Sequence, residues 1–145
     1  MLVIALLCLA VPSIGAAPPK TTDADSLAAL RKRAESAEDG ERAKLYAELA
    51  RLEVEDANAR FTAGDADRAQ AEVKEATADA EQATQSALSS HKRLKQTQMA
   101  IHQLARRLDG IEHSLSFDDR PAVKTSVDKL QTMATNLLEA MFKKK

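Results

Sequence analysis

Three histidines, His91, His102 and His113, recur at steps of 11. On a helix that spacing puts them near one face, but neighbours stand about 16 Å apart. One metal ion does not bridge such a gap, and no second histidine lies four residues from any of them. Asp109 and His113 are four apart and can pair along a helix, an interaction worth roughly 0.2–0.5 kcal/mol. Carboxylates number 22. None falls in a Glu-x-x-His arrangement, the spacing by which helical bundles hold two metal ions. Nucleophile motifs, glycine-rich phosphate loops and dinucleotide fingerprints are missing. With four glycines and no expected strand, the usual catalytic loops have nowhere to sit. The residues therefore predict no catalytic, cofactor-binding or metal-ligating group, and no enzyme.

Charge is more informative than titratable chemistry. Residues 53–82 hold nine acids and three bases, whereas residues 91–107 hold five bases and no acid. Those bases, Lys92, Arg93, Lys95, Arg106 and Arg107, form a candidate basic patch. The asymmetry suits either a solvated face or electrostatic pairing, in self-association or toward an acidic partner. The formal net charge is only −1, and no aromatic residue stands among the bases, so nucleic acid is not expected as a partner.

These groups need helices to position them. Ala69, Val73, Ala76, Ala80, Ala83 and Ala87 recur at alternating steps of four and three, and the count continues through His91, Leu94, Ile101, Leu108 and Leu115. The pattern predicts one long central helix over 66–115, with a weak point near Ser89-Ser90, where serine hydroxyls compete for backbone groups. Leu94, Ile101, Leu104, Leu108, Ile111 and Leu115 supply its bulky half. Val123, Val127, Leu130, Ala134, Leu137 and Met141 repeat the same spacing over a last helix at 120–142, with Asp118 or Asp119 as its cap and Pro121 in its first turn. The bulky residues of both stretches form a candidate interaction seam. Earlier helices are expected at 25–38, capped by Asp23 or Asp25, and at 41–63, where Leu45, Leu49 and Leu52 flank Tyr46, Ala50, Ala57 and Phe61. Asp39-Gly40 and Gly64-Asp65 punctuate. The fold class is all-α: antiparallel hairpins around the central helix, in a single domain over 23–145. Three or four helices leave the seam partly open, for a second copy or another protein to cover.

The N-terminus reads differently. Leu2 to Ala17 is almost wholly apolar but interrupted by Pro12, too short for a membrane span of about 20 residues. With Gly15, Ala16 and Ala17 behind it, the run predicts a secretory signal peptide cut after Ala16, followed by an extended leader over 17–22. Cys8 is the only cysteine, so the mature chain is expected to have no disulfide and no thiolate chemistry. Aromatics are 3%, with no tryptophan.

Phe61-Thr62-Ala63-Gly64-Asp65, followed by Ala69, Val73 and Ala76, resembles the second half of a tetratricopeptide repeat. Leu45 to Ala87 resembles the uncharacterised alanine-rich helical-hairpin domain of secreted bacterial envelope proteins. That resemblance implies a hairpin fold and a periplasmic or extracellular place, and no activity. Together these readings predict an exported, non-enzymatic scaffold or adaptor that works through coiled-coil-like protein contacts or self-association. The alternative is an amphipathic helical protein on a membrane surface, for which an interfacial tryptophan is lacking. Peptide capture on a tetratricopeptide-like groove would require a concave surface, which one hairpin hardly provides.

Overall fold

The computed structural model describes residues 23–143. They form five helices: α1 (Ala24–Ser36), α2 (Asp39–Thr62), α3 (Ala66–Ser90), α4 (Leu94–Ser114) and α5 (Arg120–Phe142). No strand occurs among the described residues, and no helix is long and apolar enough to cross a membrane. The expected signal peptide and leader lie outside the described residues.

Helices α2 and α3 form one antiparallel hairpin, α4 and α5 another. The two dock side by side, α2 against α4 and α3 against α5, while α2 and α5 occupy opposite corners. Asp39 meets Lys92 and Glu55 meets Arg107, so α2 and α4 run in the same direction. Helix α1 folds back on α2 at the edge of this bundle.

The expected helix over 66–115 is two helices. His91, Lys92 and Arg93 separate them, and His91 and Arg93 are left-handed, at φ 55° and 58°. Serine chemistry accounts for the break. Ser90 Oγ donates to the Ser86 carbonyl and accepts from the Lys92 amide, so the backbone finds a partner outside the helix. Because of this break the seam is not left open. Ile101, Leu104, Leu108 and Ile111 are buried with Val123, Val127, Leu130 and Leu137, and Leu94, Leu115 and Met141 are half-buried. The α2–α3 face that covers them is built from small residues, among them Ala43, Ala50, Ala57, Ala76 and Ala80. A second cluster joins Ala34 of α1 to Leu45, Tyr46, Leu49 and Ala83.

Local signals placed most other boundaries, with corrections. Helix α2 starts at Asp39 rather than after Gly40, and the break from α1 falls at Ala37–Glu38. Gly40 is buried against Arg93, and a Cβ there would stand 2.9 Å from Arg93 Cδ. Gly64, at φ 84°, ends α2 with the expected left-handed turn; Asp65 N–H donates to the Arg60 carbonyl and Gly64 N–H to that of Phe61. Asp23, Asp65 and Asp119 occupy the N-cap positions of α1, α3 and α5, but none makes the expected side-chain cap bond. The Asp119 carboxylate instead accepts from Ser116 Oγ (2.8 Å) and Gln70 Nε2 (3.1 Å), tying the α4–α5 turn to α3.

Gly110 sits inside α4, exposed, and a Cβ added there would meet nothing within 4 Å. Gly110→Ala should therefore stabilise the fold by about 0.5–1 kcal/mol, through helix propensity and a less flexible unfolded chain. Chemical denaturation with an unchanged slope is the measurement that checks it.

Candidate functional site: a cationic groove

Helix α2 has α1 on one side and α4 on the other. The space between these two walls is a groove of about 530 Å³, within the roughly 300–1,000 Å³ of ordinary ligand sites. Leu45 and Ala47 of α2 give it an apolar floor, Leu30 stands on the α1 wall, and Ala100 and Leu104 stand on the α4 wall. Five cations, Arg33, Lys44, Arg51, Arg93 and Arg107, line it together with two carboxylates, Glu48 and Glu55.

The cations fall into two kinds. Arg107 reaches from α4 to Glu55 with two parallel bonds of 2.8 and 2.9 Å, bracing one wall against the floor. Arg51 holds Glu48 likewise, at 3.0 and 2.6 Å. These hydrogen bonds hold the carboxyls of Glu55 and Glu48 below the usual carboxylate range, so both remain ionised at neutral pH. Arg33, Lys44 and Arg93 are exposed, and no carboxylate among the described residues pairs with them. The groove thus presents uncompensated positive charge around an apolar floor.

The predicted basic patch is split by the fold. Arg93 and Arg107 face the groove. Lys92 is bonded to Asp39 at 2.6 Å, outside it. Lys95 and Arg106 are exposed on α4 and do not line the groove. Most of the predicted seam is core, and only Leu104 also touches the groove. Arg33, Lys44 and Leu30 carried no warning in the sequence, because their proximity depends on how three helices pack.

Sequence reasoning also missed a cluster beside the groove. Arg31 of α1 donates to both oxygens of Asp79 on α3, at 3.0 and 2.9 Å, and to Glu53 Oε1 on α2, at 2.6 Å. Glu53 and Asp79 are each 4% exposed. Burial, then the adjacent Asp79 carboxylate, pushes the Glu53 carboxyl up to about 9. The available signal was positional: Glu53 and Val54 continue the buried stripe of α2.

Asp109, Glu112 and His113 offer one ligand atom each within 4.8 Å of one another. His113 Nδ1 lies 2.8 Å from the Asp109 carbonyl and 3.2 Å from Glu112 Oε2. That carbonyl, with both carboxylates, raises the imidazole pKa. His91 and His102 are exposed and belong to no such group.

No family model matches the chain, and neither a curated protein nor a solved structure matches it. The described residues form an all-helical domain of five helices with a cationic, apolar-floored groove between α1, α2 and α4.

Proposed function

We propose that this chain is an exported, non-enzymatic adaptor of a bacterial cell envelope that seats an acidic amphipathic segment of a partner protein in the α1–α2–α4 groove. The observation that carries the reading is the combination of an apolar floor with Arg33, Lys44 and Arg93 around it, none of them neutralised within the described residues. Apolar contact supplies affinity in such a groove, and the cations select sign and register. Export and envelope location rest on the apolar run from Leu2 to Ala17 and on the resemblance over Leu45 to Ala87. Absence of catalytic function rests on the missing nucleophile and phosphate-loop motifs.

The test is titration with fluorescent helical peptides of equal hydrophobicity and opposite charge. The acidic peptide should bind and the basic one should not. Arg33→Glu, Lys44→Glu and Arg93→Glu together should weaken binding of the acidic peptide at least about tenfold, and rising salt should weaken it as well. Equal binding of both peptides would remove charge selection from the account. Anionic vesicles serve as the competing arm: vesicle binding without peptide binding would favour the membrane-surface alternative.

A further inference from the structure

Helix α1 is weakly held by apolar contact. It has 13 residues, and helices of that length are marginal alone. Only Ala34 is fully buried; Leu27 and Leu30 are partly so. What fixes it in place is Arg31, whose guanidinium enters a seat made by Glu53 and Asp79, with Glu75 adding negative charge nearby. Glu53 Oε2 is buried without a hydrogen-bond partner. The seat thus holds α1 through a single arginine set beside small apolar residues.

The connection to α1 is short and strained. Ala37 and Glu38 are the whole link, and Asp39 follows at φ 51°, a left-handed conformation that costs more than helical geometry although aspartate bears it better than most residues with a Cβ. No proline interrupts 24–62, and the one glycine in that span, Gly40, is already helical in α2. If Ala37, Glu38 and Asp39 became helical, α1 and α2 would merge into one rod over 24–62, about 58 Å long. The strain at Asp39 would be relieved, and Arg31 would be carried away from its own seat. Short strained hinges favour exchange of this type between copies. One contact opposes it: the ion pair of Lys92 with Asp39 pins the hinge in the folded-back form.

We infer that α1 is an exchangeable arm, and that the Glu53–Asp79 seat of one chain accepts Arg31 on the α1 of a second copy, giving a reciprocal two-fold dimer. In that dimer each groove is composite. Its α1 wall, with Leu30 and Arg33, comes from the other chain. The inference stands on the hinge and the seat, and does not depend on what the groove binds.

The experiment is sedimentation of the full chain carrying Glu38→Ala and Asp39→Ala. These changes favour a helical hinge and remove the Lys92 pin. The dimer dissociation constant should fall at least about tenfold relative to the unaltered chain, and adding Arg31→Met should return the protein to monomer. A monomer with α1 still protected from protease, or a dimer indifferent to Arg31→Met, would overturn the inference. Because Arg31→Met can simply unfold α1, a second reading uses the hinge variant in heavy and light isotopic forms. Mixed and crosslinked at lysine, it should yield links from Lys32 of a heavy chain to a light chain. Links confined to one isotope would contradict exchange.

Discussion

Replacing Ile101 with aspartate should unfold the bundle. Ile101 is fully buried where α4 meets its neighbours, in one core with Leu104, Leu108, Val127 and Leu130. The substitution removes buried apolar volume and places a carboxylate within an apolar cluster. Loss of the side chain costs about 2–5 kcal/mol, and the buried charge several more unless the group takes up a proton. Against a typical total stability of roughly 5–15 kcal/mol, that is enough to abolish folding or bring melting near ambient temperature. Leu108→Asp, two turns on, should do the same. Met99→Asp in the same helix is the control, because Met99 is 49% exposed, and surface changes usually stay within about 0.5 kcal/mol. Helicity followed by circular dichroism through a thermal scan separates the outcomes. Equal melting of all three variants would mean that α4 does not bury the face described.

The second large effect is at Arg31. Arg31→Met leaves Glu53 and Asp79 facing each other without a cation. Breaking a buried ion pair costs about 3–5 kcal/mol; here the Arg31 side chain is 37% exposed, which argues for the low end or less. The chain also has an escape. It need not bear the cost across the whole bundle, because α1 can detach while α2 to α5 keep their core. The expected result is local: helical signal lost from about the 13 residues of α1, cleavage by trypsin at Lys32 and Arg33, and a small change in the main melting transition. Loss of the whole fold would instead show that α1 is integral to it.

The same seat makes the fold sensitive to alkali. The groups facing Glu53 are Arg31 from α1 and Asp79 and Glu75 from α3. Its folded pKa, about 9, lies above the ordinary carboxylate value of 4.5. The folded state therefore binds a proton that the unfolded state releases. The associated stability is fully present below pH 4.5 and is lost as pH rises through about 9. Stability against chemical denaturation should fall across that upper limit. Glu53→Gln, which is neutral at every pH, should flatten the profile; an unaltered profile would assign the transition to another group.

How far the sequence reached can be judged from particular residues. The last helix was fully legible, because Val123, Val127, Leu130, Leu137 and Met141 keep one period and Pro121 marks the start. The pairing of neighbours into hairpins was legible from the tight links at Gly64-Asp65 and at 117–119. The division of the long helix was only half legible. Steps of four and three alternate up to Ala87, but Ala83 to Ala87 and Ala87 to His91 are two fours in succession, a slip of one residue at the break, and the alternation resumes beyond it. The serines before His91 fall at the same place. A slip that small still leaves a continuous apolar stripe, so periodicity alone does not separate a local shift of phase from a change of axis. At the groove, Arg93 and Arg107 stood out as cations in a run without acids, but nothing along the chain ties Arg33 or Lys44 to them. Glu53 and Asp79 counted only toward the acidic stretch over 53–82, and Arg31 carried no signal at all. A charge that pairs across three helices has the same local appearance as one that meets water.

The three-residue link at His91–Arg93 has a consequence for how the chain reaches this structure. It carries the backbone from one corner of the bundle to the opposite one, so α2–α3 and α4–α5 are each closed by their own short turn. Neither hairpin waits for the other. Most contacts span few residues, the situation in which helical proteins fold within microseconds to milliseconds. The late event is the meeting of two preformed hairpins, when α4 settles along α2 and α5 along α3. Arg107→Ala, at the ion pair with Glu55 across that junction, tests the order: docking after the barrier predicts faster unfolding with an almost unchanged folding rate, and docking at the barrier predicts slower folding.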